Sequence, residues 1–206
     1  LHEAKLAYEE FSKEVHTYSP AFKDDEIEEI AKISGHIVFN SPGQLVKYKE
    51  VVREVNPNIK ISLRINPEVS ASPKDIYNPC GMYSRLGTTL HNFDVTHIAD
   101  LDGLNFHALC EQNVDALQEV LNSFEKNFSK YFKNLKYINF GGGHHITKEG
   151  YDVDRLVRII KDFKNKYAVE VYLEPGEAVG WQTGYLVSTV LDVFENGINI
   201  AISDTS

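Results

Sequence analysis

The chain has 206 residues with 42% hydrophobic and 11% aromatic content, which supports a packed core and excludes a disordered segment. A formal net charge of −9 excludes the positive footprint that nucleic-acid binding requires; it suits a cationic ligand, although solubility alone also accounts for it. No apolar run reaches the roughly 18 residues of a membrane span, no secretory signal opens the chain, and two cysteines, Cys80 and Cys110, fit a reducing cytoplasm.

The predicted elements alternate from end to end. The chain opens on what reads as mid-helix, Leu1 to Ala7, and closes directly after strand-like residues, so a longer protein is expected on both sides. Short β-rich runs cover 15–19, 36–40, 59–65, 103–109, 136–140 and 169–173. Pro42 sits as the first residue of a helix after Asn40 and Ser41. Val114, Leu117, Leu121, Phe124 and Phe128 step by three and four, as one buried helical stripe requires; Val153, Leu156, Val157, Ile160 and Phe163 do the same.

Repeated strand–helix units imply a parallel α/β sheet, either doubly wound or closed into a (β/α)8 barrel. His107, the glycines at 141–143 and Glu174 all fall at or just after strand C-terminal ends. Convergence from several strand ends favours the barrel, with about six of its eight strands present. After Glu174-Pro175-Gly176 the rhythm changes. A β-type run over 185–194, a turn signal at Glu195-Asn196-Gly197 and a second run over 198–202 read as a hairpin. Residues 1–179 are therefore expected as a partial barrel and 180–206 as the beginning of a C-terminal β domain.

Gly141-Gly142-Gly143 follows a strand and precedes a helix, so backbone N–H groups there can approach a phosphate; a tight turn is the alternative. Glu174 is either a carboxylate facing the site, able to hold a pyridinium nitrogen protonated, or a surface cap. His107, between Phe106 and Ala108, is either a satisfied core residue or an imidazole that stacks on a flat ring. Arg85, in Tyr83-Ser84-Arg85-Leu86-Gly87, lies in a long polar loop. His144 and His145 are adjacent and point opposite ways on an extended segment, and no HxH or HExxH spacing exists, so no metal site is expected.

Taken in order, the Arg-bearing loop, the His-bearing strand, the glycine turn and Glu-Pro-Gly resemble the fold type III pyridoxal-phosphate (PLP) enzymes, the alanine racemase and ornithine decarboxylase group, over essentially the whole chain. Tyr77-Asn78-Pro79-Cys80, Phe106-His107-Ala108-Leu109-Cys110-Glu111, Gly141 to His145 and Glu174 to Gly184 are similar to the carboxynorspermidine (carboxyspermidine) decarboxylase family.

That resemblance implies that His107 stacks on the cofactor ring and that Gly141, Gly142, Gly143 and Gly176 bind its phosphate side. Glu174 pairs with the ring nitrogen and Arg85 supports the cofactor. Glu177 stands where many relatives carry arginine, and the charge reversal points to a protonated substrate amine; Glu174, Cys110, Glu111 and His144 complete the implied substrate contacts. The resemblance further implies a PLP-dependent carboxy-lyase that makes norspermidine or spermidine, working as a homodimer with shared active sites. The lysine that holds the cofactor is expected on a barrel strand ahead of this chain, and the general acid outside it. Another fold type III decarboxylase, acting on diaminopimelate or arginine, is the alternative, followed by a non-catalytic PLP-binding protein.

Overall fold

The computed structural model describes residues 1–72 and 74–205. Pro73 and Ser206, the last residue of the expected C-terminal β domain, lie outside them. The chain runs α1 (His2–Phe11), β1 (His16–Tyr18), α2 (Ile27–Ile33), β2 (His36–Phe39), α3 (Pro42–Val55) and β3 (Lys60–Arg64). It continues with β4 (Gly103–Asn105), α4 (Val114–Phe128), β5 (Tyr137–Asn139), α5 (Val153–Tyr167) and β6 (Glu170–Tyr172). The short α6 (Gly176–Gly180) and the hairpin strands β7 (Val190–Glu195) and β8 (Asn199–Ser203) follow.

β1 to β6 form one sheet in sequence order with every neighbouring pair parallel. In a flat sheet β1 and β6 would lie five strand spacings apart, roughly 24 Å. The ring of His16 in β1 is nevertheless 5.0 Å from that of Tyr172 in β6, and His36 in β2 is 5.2 Å from the same ring. The sheet is therefore curled into most of a barrel, as the sequence predicts.

Strand alternation separates two populations of side chains. One face carries Ile37, Phe39, Ile61, Leu63, Leu104, Phe106, Ile138 and Phe140, which pack with Leu45 and Val52 of α3 and Leu117 and Phe124 of α4 into the main core. The opposite, concave face carries Tyr18, His36, Ser62, Arg64, Asn105, Tyr137, Asn139 and Tyr172. Each helix buried on the convex face is locally specified. Ser41 caps α3, its Oγ accepting from Gln44 N (3.3 Å) with Pro42 at the first helical position. Asp152 caps α5 through Arg155 N (2.8 Å), and Ala168 ends it in the left-handed conformation, φ 54°.

The α4 stripe is buried as predicted. On α5 only Leu156 and Phe163 are buried, whereas Val153 and Val157 are 48% and 40% exposed. Ile160 packs partly buried against the core, so Val153 and Val157 are the two members of the five-residue stripe left uncovered on α5, which lies beside the edge strand β6. The hairpin is antiparallel and turns at Gly197 (φ 73°), but β7 begins at Val190, and residues 185–189 hold no regular structure. Among the described residues no helix is long and apolar enough to cross a membrane.

Candidate functional site

The C-terminal strand ends gather at the mouth of the concave face. Gly141-Gly142-Gly143 turns sharply off β5 and is clamped on both sides. A Cβ on Gly141 would collide with the Phe106 carbonyl; one on Gly142 would sit 2.6 Å from Glu174 O and 2.9 Å from His107 Cε1. A Cβ on Gly143 would overlap the Leu109 carbonyl, and Gly141 and Gly143 have φ of +67° and +81°. The three glycines are thus required by close backbone packing between β4, β5 and β6, a demand the sequence reading did not separate from anion binding. Gly141 N donates to Asn139 Oδ1 (2.8 Å), while Gly143 N and His144 N have no protein acceptor among the described residues.

Asn139 organises the centre. Besides holding Gly141, its Nδ2 donates to Glu174 Oε1 (2.8 Å), so the Glu174 carboxylate is aimed from inside the barrel mouth. His107 is half-buried, and its Nδ1 accepts from Gly142 N (3.3 Å). Burial first, then the charges of Arg64 and His144, push the His107 imidazole down to about 4, so the ring is neutral at pH 7. A cavity of about 400 Å³ opens against His107, walled by Tyr18, Arg64, Tyr77, Leu86 and Cys110. A second of about 350 Å³ shares Tyr77 and Cys110 and adds Lys74, Glu111 and Gln112. A larger hollow of about 520 Å³, lined by residues 76–86 and including Arg85, carries no strand-end side chain and shares Tyr77, Pro79 and Leu86 with the His107 cavity.

The remaining expected residues spread over the rim. Glu177 opens α6 with its side chain 45% exposed and its Oε1 3.9 Å from His145 Nε2. Glu111 is held at φ 53°, a strained conformation for a non-glycine residue. Burial and the nearby carboxylates of Glu111 and Glu177 push the Cys110 thiol up. The Arg85 side chain is exposed, while its carbonyl accepts from Asn40 Nδ2 (2.8 Å). At Gly176 a Cβ would meet nothing within 4 Å.

His144 departs from expectation. It is 1% exposed and its Nε2 donates to Phe140 O (3.2 Å), so it supports the turn from below instead of facing a substrate. His145 points the other way, its ring 4.9 Å from Trp181.

Tyr18, Arg64 and Asn139 were missed by the sequence reading. The available signal was polar residues at alternate positions of otherwise apolar strands, as in Ile61-Ser62-Leu63-Arg64 and Tyr137-Ile138-Asn139-Phe140.

A different cluster closes the opposite, N-terminal end of the sheet. Glu14 Oε1 lies 3.0 Å from His16 Nε2 and 2.9 Å from His36 Nε2, and Lys60 Nζ lies 3.1 Å from His36 Nε2. The two imidazoles stack 3.8 Å apart at 14°, so their lone pairs run side by side, and Lys60 already supplies the cation.

No protein-family model matches the chain. Over 206 residues it is 54% identical to the carboxynorspermidine/carboxyspermidine decarboxylase of Campylobacter jejuni, an alignment covering 100% of the chain and 53% of that protein. The crystal structure of carboxynorspermidine decarboxylase complexed with norspermidine, from the same organism, superposes with a TM-score of 0.84 at 52% identity, covering 100% of this chain and 52% of that one. Over its whole length the chain is similar to carboxynorspermidine decarboxylases. It is also 41% identical over 196 residues to a carboxyaminopropylagmatine decarboxylase of Synechocystis, covering 95% of the chain and 50% of that protein. A diaminopimelate decarboxylase structure matches with a TM-score of 0.64 at 19% identity, over 92% of this chain and 48% of that one, a likeness of fold. The chain spans about half the length of the relatives it matches.

Proposed function

We propose that this protein is a cytoplasmic, PLP-dependent decarboxylase that converts carboxynorspermidine or carboxyspermidine into norspermidine or spermidine. The observation that carries this reading is the convergence of a neutral His107, the clamped glycine turn and an Asn139-anchored Glu174 at adjacent strand ends. The residues fit the cofactor. The N–H groups of Gly143 and His144 lack protein acceptors among the described residues, which suits a phosphate, and the open space at Gly176 leaves room beside it.

When bound, PLP would supply an electron-accepting ring, the chemistry that loss of CO2 from an amino acid needs. Glu174, its carboxylate anchored by Asn139, would hold a proton on the ring nitrogen. His107 presents an uncharged imidazole face to the ring and so adds no second positive charge beside it. Arg85 supports the cofactor side of the mouth. Glu177, Glu111 and Cys110 form the rim, where the two carboxylates are the complement of a substrate's protonated amines. The holoenzyme is a homodimer with shared sites, which sedimentation of the purified protein checks.

A second reading, carboxyaminopropylagmatine as substrate, is favoured by the 41% identical relative that carries that name. The deciding experiment is CO2 release by the holoenzyme from carboxynorspermidine, carboxyaminopropylagmatine and diaminopimelate in parallel. Release from the first is expected; release from diaminopimelate alone overturns the proposal. In the same assay Glu177→Gln is expected to raise KM for carboxynorspermidine, and an unchanged KM removes Glu177 from the amine site.

A further inference from the structure

Arg64 ends β3 on the concave face, where it is 5% exposed. Its Nη2 donates to the carbonyl of His107 (3.1 Å), and its guanidinium carbon sits 4.6 Å from the centre of the Tyr18 ring. Tyr18 is in turn fixed by donating its hydroxyl to Asn40 Oδ1 (2.9 Å). Among the described residues no carboxylate pairs with Arg64. A buried cation kept without a counter-charge is costly, and the planar fork on an aromatic face is a rigid way to keep one.

The consequence falls on His107. Its main chain is pinned by Arg64 and its Nδ1 accepts from Gly142 N (3.3 Å), a bond that exists only while Nδ1 carries no proton. The groups facing this imidazole are Arg64 from β3, His144 from the turn after β5, Tyr18 from β1, Tyr77 and Cys110 across the cavity, and Glu174 beyond Gly142. Of the two positive or potentially positive neighbours, Arg64 is the one always charged.

We propose that Arg64 is a positioning residue for His107: its guanidinium pins the His107 carbonyl, and its fixed charge holds the imidazole in the neutral tautomer that accepts from Gly142. This rests on the reading that His107 faces the cofactor ring, but the geometry it explains lies wholly within the protein. The depressed His107 titration, to which Arg64 contributes after burial, is consistent with it.

The test is a ¹⁵N NMR titration of the His107 ring in the purified protein, a readout independent of turnover. Arg64→Met is expected to raise the His107 midpoint by about one pH unit, a tenfold gain in proton affinity. Arg64→Lys, which keeps the charge, restores a midpoint near that of the parent. Arg64→Gln keeps a donor for the carbonyl without charge and serves if the Met variant does not fold; it too shifts upward. A midpoint unmoved in the uncharged variants overturns the proposal, as does a Lys variant that shifts as far as Met. Decarboxylation with an unmoved midpoint would refute the role of Arg64 while leaving the proposed function standing.

Discussion

Gly143 and Gly150 have the same left-handed backbone, φ +81° in both, but only Gly143 is crowded. A Cβ at Gly143 would overlap the Leu109 carbonyl and lie 2.8 Å from Cys110 N, whereas at Gly150 it would meet nothing within 4 Å. Both alanine substitutions carry the conformational cost of an L-residue in this region, about 1–2 kcal/mol. Gly143→Ala adds the cost of forcing backbone apart in a packed region, roughly 1–3 kcal/mol more. Urea unfolding of the two variants, with slopes unchanged, therefore separates clash from conformation. Gly143→Ala is also expected to lose PLP, because displacing the turn moves the N–H groups of Gly143 and His144; Gly150→Ala keeps it. Equal destabilisation of the two variants refutes the inference that the turn is glycine-rich because β4 and β5 meet there.

Asn139→Leu removes the acceptor for the Gly141 N–H and the donor to Glu174 from a residue that is 1% exposed. It is expected to cost about 1–3 kcal/mol in thermal unfolding for the orphaned N–H, together with weaker PLP binding measured by absorbance titration. Acid stability carries the signature of His107. Its folded value of about 4 lies below the ordinary 6.5, so between those values the unfolded chain takes up the extra proton and stability falls as pH falls. His107→Gln is expected to remove up to about 3 kcal/mol of that decline between pH 6.5 and pH 4. His36, also held at about 4 by burial and by His16, supplies a further part of the slope that the variant retains.

Much of this molecule is legible in its residues because strands and helices declare themselves through spacing. Each of the six parallel strands falls inside its predicted run, and α4 buries the stripe that its three-and-four pattern marks. His107, the glycine turn and Glu174, read from motifs at strand ends, lie beside one another because a parallel sheet brings such ends together. The reading failed where a side chain's task depends on a neighbour remote in sequence. His144 was expected at the substrate but bonds Phe140 O, and the α5 stripe loses part of its cover at the sheet edge.

Alternation of apolar and polar residues along β3 and β5 marks which face is core and which is polar, because that pattern acts locally and needs no partner. Only the curled sheet decided that Asn139 would aim Glu174 and that Arg64 would reach the His107 carbonyl from the neighbouring strand. Those contacts join residues 35 and 43 positions apart, and their geometry follows from register and curvature, which no single segment encodes.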